Sequence, residues 1–80
     1  MRHMVEARAA GLCECCGDRA GQVVHHRKRR SQGGTNALAN LMLLDGDCHR
    51  RIHDEPEWAR SRGFLLRRSD PEAPFTYRGN

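Results

Sequence analysis

The sequence lacks long hydrophobic runs and has few of the residues that build a large core. Of its 80 residues, 38% are hydrophobic and only 5% are aromatic. No apolar run approaches the roughly 20 residues that a membrane-spanning helix needs. The start of the chain also lacks the apolar stretch of a secretory signal, because Met1 is followed by Arg2, His3 and, soon after, Glu6. These absences predict one small domain, located in the cytoplasm and without a membrane partner.

A chain with so little apolar surface needs an additional source of stability. Domains of this size bury a small share of their surface and often depend on a metal ion or on disulfides. The chain has four cysteines, and in a cytoplasmic protein we expect them to be reduced thiols. The cysteines are therefore more typical of a metal site than of a disulfide framework.

The cysteine spacing predicts a structural zinc site. Cys13 and Cys16 form a C-x-x-C pair of the zinc-knuckle kind, and Cys48 offers a third soft ligand. A redox C-x-x-C would instead require a thioredoxin-like unit, which this short pattern does not offer. The fourth ligand is open among Asp45, which stands where a second C-x-x-C would begin, Cys15 and water.

Apolar spacing and turn residues predict a mixed α and β chain with short elements. The predicted order is a helix over 1–10, a strand over 22–26, a basic loop over 27–36, and a helical turn leading into a strand over 41–44. A second helix is predicted from about Cys48 to Glu55, capped by Asp47 and stopped by Pro56. Residues 57–62 could form another helical turn and 64–67 a strand, or this segment could serve only as core and edge packing.

Four histidines suggest a second metal site. His49 and His53 lie four residues apart, so they project from the same side of a helix. His25 and His26 are adjacent, and neighbouring residues of a strand face opposite ways. One of that pair is therefore expected to bind a divalent ion while the other is free for acid–base chemistry. Such an ion would keep open positions for a phosphate oxygen and a leaving oxygen.

Basic residues cluster beside both histidine pairs. The formal charge is +4 and the isoelectric point about 9.3. A lone basic run fits a solvated loop equally well, but its position beside the histidines favours a polyanionic partner such as nucleic acid. Alternate residues of the loop should face the site, which favours Lys28 and Arg30 as phosphate contacts, followed by Arg27 and Arg50.

These motifs resemble the HNH (ββα-metal) endonuclease family over residues 13–53. The stretch His25–Gly34 reads HHRKRRSQGG, and it precedes Asn40 and the His49-x-x-x-His53 pair. The HHxxxxSQGG stretch is especially similar to the nuclease domain of colicin DNases. The cysteines resemble those of bacterial and phage members that carry zinc knuckles. The resemblance implies an α+β fold, a small ββα-metal (His-Me finger) domain over 1–68, with an N-terminal helix, a zinc-knuckle staple and an irregular tail over 69–80.

The resemblance also implies a role for each motif residue. His25 matches the first metal ligand and His26 the general base that activates water. Asn40 matches the asparagine that braces the loop through backbone hydrogen bonds. His49 matches a metal ligand, and His53 either binds the ion or contacts the scissile phosphate. The implied activity is DNA cleavage to 5′-phosphate and 3′-hydroxyl ends with Mg²⁺ or a transition metal such as Mn²⁺, Ni²⁺ or Zn²⁺.

The chain departs from the family pattern at two positions. Arg29 stands where many members have proline, and Asp45 stands where the cysteine-containing members usually have cysteine. No element is an obvious major-groove reader, so we expect double-stranded DNA bound with low sequence specificity, unless a dimer or a protein partner such as a phage terminase supplies it. The alternative functions are a zinc-binding nucleic-acid module without catalysis and a structural zinc domain that binds protein.

Overall fold

A computed structural model describes residues 2–73 of the chain. Its helices and strands, in chain order, are α1 (Arg2–Ala9), β1 (Val23–His26), β2 (Leu41–Leu44), α2 (Gly46–Asp54) and α3 (Pro56–Ser61). Two 3₁₀ turns, Arg30–Gln32 and Leu38–Asn40, lie in the connection between the strands. The predicted α+β class is confirmed, with two antiparallel strands followed by a helix. Within residues 2–73, no helix is long and apolar enough to cross a lipid bilayer.

The two strands form an antiparallel pair that lies between helices on both faces. Val23 pairs with Leu44 and His26 with Leu41, so the histidine end of β1 meets the start of β2. All four residues of β2 are buried, because side chains of a strand alternate between faces and each face is covered. Leu41 and Leu43 pack with Val5 and other residues of the α1 side.

The opposite face of the sheet packs against α2 and α3 and forms the larger core. Met42 and Leu44 contact Ile52 of α2, and the cluster extends to Ala59 of α3. Cys13 belongs to the same buried cluster. Directly opposed residues of an antiparallel pair share a face, so His25, which pairs with Met42, lies on the side of the sheet that α2 covers. The pairing thus brings His25 toward the histidines of α2.

A buried ion pair fixes α1 and the cysteine turn against β2. The Glu14 carboxylate is 1% exposed and accepts hydrogen bonds from Arg8 Nε at 2.8 Å and from the Leu43 backbone N–H at 3.0 Å. The Glu14 backbone N–H donates to Leu43 O at 2.7 Å. A buried carboxylate requires such partners because its desolvation is unfavourable. The pair therefore holds the turn that carries Cys13 in a fixed position beside the core.

Helix α2 begins two residues earlier than the sequence pattern suggests. Asp45, rather than Asp47, is the N-cap, and its side chain accepts a hydrogen bond from the Asp47 backbone N–H. An aspartate at this position satisfies one of the N–H groups that the first helical turn leaves unpaired. Asp47 instead lies in the first turn of the helix. The predicted capping residue is therefore wrong by two residues.

The segment after α3 is buried but is not the strand predicted over 64–67. Phe64, Leu65 and Leu66 are at most 9% exposed, and the structure assigns no strand there among residues 2–73. The Leu66 backbone N–H donates to Arg27 O at 2.8 Å, which attaches this segment to the residue after β1. The predicted tail over 69–80 lies partly outside the described residues, which end at residue 73.

Candidate metal centres and active-site cleft

Four side chains from the cysteine turn and the start of α2 form a compact metal-binding group. One ligand atom from each residue lies within 4.8 Å of every other, and the group consists of Cys13, Cys16, Asp45 and Cys48. The Cys13–Cys16 turn is closed by a hydrogen bond from Gly17 N to Cys13 O at 2.9 Å. These are the residues that the sequence predicts for a structural zinc site.

Backbone N–H groups of the cysteine turn point at its sulfur atoms. Cys15 N lies 3.4 Å from Cys13 Sγ, and Asp18 N lies 3.5 Å from Cys16 Sγ. Hydrogen bonds to ligand atoms orient them and stabilise the thiolates that a metal requires. Burial raises the pKa of Cys13 and of Cys48. These thiols therefore stay protonated until a cation replaces the protons.

Asp45 combines helix capping with a ligand position. Its Oδ2 atom accepts from Asp47 N and from Arg19 Nη1, both at 3.2 Å, whereas Oδ1 lies 3.8 Å from Cys16 Sγ. Burial tends to raise the pKa of Asp45, but hydrogen bonds, led by that from Cys48, hold it well below its usual range. One oxygen thus anchors the side chain while the other faces the sulfurs.

The donor set fits a closed zinc site. Three thiolates and one carboxylate supply four ligands, the number that structural zinc takes. The fourth cysteine, Cys15, is half-buried and outside the group, although its thiol is within hydrogen-bonding reach of Cys48. All four cysteines are free thiols. The four residues of this group could therefore hold a metal ion, and a structural zinc is consistent with them.

Three histidine rings, one from β1 and two from α2, lie close together beside a cleft. The ring centroids of His49 and His53 are 4.7 Å apart, and that of His25 lies 5.5 Å from His49 and 6.5 Å from His53. The strand and the helix therefore bring together the ligand histidines implied by the resemblance. The rings are more widely spread than the atoms of the cysteine group, and they line an open cleft with a volume of about 290 Å³.

The His25 ring is hydrogen-bonded to the segment that follows α3. Its Nε2 atom lies 2.8 Å from the carbonyl oxygen of Phe64. Since a carbonyl oxygen only accepts, Nε2 carries the proton and Nδ1 keeps its lone pair. Burial lowers the pKa of His25 to about 4, although the hydrogen bond to Phe64 acts in the opposite direction. His25 is therefore neutral near pH 7, which is the form that binds metals.

Two of the three histidines are close enough together to share one cation. His49 Nε2 and His53 Nε2 lie 3.3 Å apart. Two nitrogens bound at about 2.1 Å to one ion in tetrahedral or octahedral geometry are about 3.0–3.4 Å apart. Burial, with a contribution from His53, lowers the pKa of His49, which also favours the neutral ligand form. The pair on α2 is thus spaced for one ion. The His25 ring lies farther away, and among residues 2–73 it is the cysteine group whose ligand atoms all lie within 4.8 Å of one another.

Asn40 lies beneath the basic loop and is completely buried. Its Oδ1 atom accepts from Lys28 N at 2.8 Å, and its Nδ2 atom donates to Lys28 O at 3.1 Å and to Thr35 O at 2.8 Å. One amide therefore joins the two ends of the loop through backbone groups, which is the bracing that the resemblance implies. Position 34 has no room for a side chain, because a Cβ atom added to Gly34 would collide with Lys28 O.

The second histidine of β1 contacts a residue that the sequence did not single out. His26 is partly exposed at the end of β1 and lines the same cleft as His25, His49 and His53. Its Nε2 atom lies 2.9 Å from Oδ1 of Asn36. A signal for Asn36 would have been its position after the Gly-Gly turn, but that position alone does not specify a partner.

The basic residues fall into two groups with different surroundings. Arg29 and Arg30 line the histidine cleft, whereas Arg27 is 3% exposed and donates to the carbonyl oxygens of Gly63, Ala39 and Ala73 at 2.6 Å. Arg27 therefore braces the protein, and its burial argues against the phosphate contact predicted for it from the sequence. The 3₁₀ turn at Arg30–Gln32 breaks the alternation assumed for the loop, so Arg29 rather than Lys28 joins Arg30 in the cleft.

The family comparison agrees with this geometry. The family model for HNH endonuclease matches residues 13–55, more than half of the chain, so the chain belongs to the HNH endonuclease family. The matched residues span both candidate metal groups, and the cysteine group fits the zinc-binding type within the family. Comparisons with curated proteins and with solved structures found no match.

Proposed function

We propose that this protein is a metal-dependent endonuclease that hydrolyses phosphodiester bonds of DNA. The observation that carries the proposal is one cleft lined by four histidines and two arginines, which are His25, His26, His49, His53, Arg29 and Arg30. Phosphodiester hydrolysis requires a base for water, a way to stabilise negative charge and cationic contacts to phosphate. The cleft supplies side chains suited to each requirement.

His26 is proposed as the general base. It is partly exposed within the cleft, so a water molecule can reach its ring. His26 takes a proton from that water while the oxygen attacks the phosphorus atom. The bond between phosphorus and the 3′ oxygen breaks, and the leaving oxygen takes a proton from solvent water, which gives 5′-phosphate and 3′-hydroxyl ends. Asn40 holds the loop in place beside the base through its three hydrogen bonds to Lys28 and Thr35.

His25, His49 and His53 are proposed to hold the catalytic ion. When bound there, Mg²⁺ or a transition metal such as Mn²⁺, Ni²⁺ or Zn²⁺ supplies positive charge that stabilises the leaving oxygen. The hydrogen bond to Phe64 O fixes the orientation of His25. His53 is exposed, so it can also contact the scissile phosphate. The cysteine group holds a separate structural Zn²⁺ that stabilises the fold.

The proposed substrate is double-stranded DNA, bound mainly through its phosphates. Arg29 and Arg30 line the cleft, and Lys28 and Arg50 are proposed as further phosphate contacts from the loop and from α2. Phosphate contacts position a duplex without reading its sequence. We therefore propose low sequence specificity in the isolated protein, with any higher specificity supplied by a second copy or by a protein partner such as a phage terminase.

Plasmid cleavage tests the proposal directly. Wild-type protein with Mg²⁺ or Mn²⁺ is expected to convert supercoiled plasmid to nicked or linear forms. His26→Ala is expected to reduce the rate by about 10²–10⁴-fold, the usual contribution of general base catalysis. His3→Ala is the matched control, because His3 is exposed on α1 and does not line the cleft.

Binding must be measured beside cleavage so that the two functions can be separated. Wild-type protein that binds DNA but cleaves it with none of these metals would favour a nucleic-acid module without catalysis. Cleavage that survives His26→Ala at the wild-type rate would leave the nuclease activity standing but would remove His26 as its base.

A further inference from the structure

Asn36 makes a single side-chain hydrogen bond in the described part of the chain, and its partner is His26. The side chain is exposed, and its Oδ1 atom lies 2.9 Å from His26 Nε2. It makes no contact with the core clusters. The packing of the core therefore does not depend on this amide. Core packing does not explain the hydrogen bond between Asn36 and His26.

The residues on both sides of Asn36 are held firmly by the protein. Thr35 N and Oγ1 donate to the Glu72 carboxylate at 2.9 and 2.6 Å, and Thr35 O accepts from Asn40 Nδ2 at 2.8 Å. On the other side, the Ala37 backbone N–H donates to Thr35 Oγ1 at 3.2 Å, and its carbonyl accepts from Asn40 N at 2.8 Å. The backbone that carries Asn36 is thus fixed by contacts that leave its side chain free to face His26.

We propose that Asn36 is a positioning residue for the base, and this inference rests on the proposed nuclease function. Asn36 Oδ1 accepts the Nε2–H of His26 and holds the ring in the tautomer whose Nδ1 has a lone pair. The water proton therefore goes to Nδ1. The same amide oxygen stays bonded to Nε2–H during the proton transfer, so the ring keeps its orientation.

The neighbouring histidine has the same arrangement with a different acceptor. His25 Nε2 lies 2.8 Å from Phe64 O, and His26 Nε2 lies 2.9 Å from Asn36 Oδ1. Each ring thus has Nε2 bonded to an oxygen from outside the sheet, which leaves Nδ1 for chemistry. An acceptor on one ring nitrogen fixes which nitrogen is basic. In this proposal the Nδ1 atoms of the two rings have different tasks, ligation for His25 and proton transfer for His26.

Two substitutions of Asn36 separate the acceptor oxygen from the rest of the side chain. Asn36→Ala removes the acceptor, and we expect plasmid cleavage to slow by about 10-fold or more, as for other groups that orient a functional histidine. Asn36→Asp keeps an oxygen at the same place and is expected to recover most of the lost rate. Gln22→Ala is the matched control, since it removes an exposed amide that has no contact with His26.

The position and exchange rate of the His26 ring proton can be measured independently of DNA cleavage. In ¹H–¹⁵N NMR spectra of the zinc-loaded protein, His26 should carry its proton on Nε2, and this proton should exchange slowly with water. In Asn36→Ala the exchange should become fast, while Gln22→Ala should match the wild type. A wild-type His26 protonated on Nδ1 would overturn the inference, as would an unchanged exchange rate in Asn36→Ala.

The outcomes also separate this inference from the proposed function. If the wild type cleaves DNA and Asn36→Ala cleaves at the same rate, the positioning role is wrong and the nuclease stands. If the wild type does not cleave, the nuclease proposal fails and the catalytic role of Asn36 fails with it, while the NMR experiment still decides whether the hydrogen bond sets the tautomer.

Discussion

A cysteine group and a histidine group both include residues of the same nine-residue helix, and they differ in ligand type, spacing and surroundings. The cysteine group has four ligand atoms within 4.8 Å of one another. The histidine group has three rings, with centroids up to 6.5 Å apart, in an open cleft beside Arg29 and Arg30. Cys48 and His49 are adjacent in sequence, yet each belongs to a different group.

The difference suggests a structural role for the cysteine group and a catalytic role for the histidine group. Four ligands complete the coordination of a structural ion and leave no position for a substrate, whereas three leave positions open. The cysteine group contacts the main core through Cys13 and Cys48, so an ion there acts on folding. The histidine group faces a cleft with cationic side chains, so the ion proposed to bind there would act on a polyanion.

The largest effect is expected from loss of the cysteine group. Cys13 is completely buried in the core, and Cys13→Ser is expected to abolish zinc binding and cooperative unfolding near 25 °C. Structural zinc contributes about 10 kcal/mol or more in small zinc domains, which is comparable to the whole stability of a typical domain. Zinc content by atomic emission and thermal unfolding by circular dichroism, with and without a chelator, would measure both effects.

Cys15→Ala is the control for that experiment. Cys15 lies two residues from Cys13 but is outside the metal-binding group. The variant should therefore keep one zinc per chain and a cooperative unfolding transition. Loss of zinc in Cys15→Ala, together with retention in Asp45→Asn, would show that a fourth thiolate replaces the carboxylate. The separation of the two groups would survive that result, but the role of Asp45 would be reduced to helix capping.

Much of this architecture follows from local sequence patterns. Both strands, the helix over 2–9 and the helix before Pro56 agree with periodicity and capping rules, since each is set by neighbours within a few residues. The Cys13–Cys16 spacing and the His49–His53 spacing likewise define ligand geometry locally. Asp45 was predicted as a ligand position, but its N-cap role was not, because Asp47 offers an equally good capping side chain in the sequence.

The remainder depends on contacts between residues far apart in the chain. Phe64 supports His25 through a backbone carbonyl, a group that every residue possesses and that no sequence pattern distinguishes. Arg27 looks like its basic neighbours, yet its position directly after β1 directs it to three carbonyl oxygens inside the protein. Arg29 enters the cleft because the following residues form a 3₁₀ turn. Such assignments require the tertiary structure.

A smaller and more local effect is expected from His49→Ala. The variant removes one ligand of the histidine group, so Mn²⁺ affinity of the zinc-loaded protein should fall by about 100-fold, at the upper end of losses seen for groups that merely orient a ligand. His49 is only partly buried, and we expect zinc content and the unfolding midpoint to stay near wild-type values. Isothermal titration calorimetry and thermal unfolding would give the two quantities.

Asp54→Ala serves as the comparison for His49→Ala, because Asp54 is an exposed acidic residue on the same helix that does not line the cleft. Its variant should bind Mn²⁺ as the wild type does. If His49→Ala instead loses zinc and unfolds, the two groups are not independent. If it binds Mn²⁺ normally, the exchangeable ion does not use His49.

The smallest effect is expected in the salt dependence of DNA binding. It tests directly whether DNA phosphates enter the histidine cleft. Changing both Arg29 and Arg30 to Gln removes two cations from the cleft, so the slope of log affinity against log salt should fall by about 2. Changing Arg67 and Arg68 to Gln alters the net charge equally, but these exposed residues lie outside the cleft. If only the general field of the protein attracts DNA, both double variants will change the slope alike. If phosphates enter the histidine cleft, the Arg29 and Arg30 variant will change it more, while zinc content and stability remain those of the wild type.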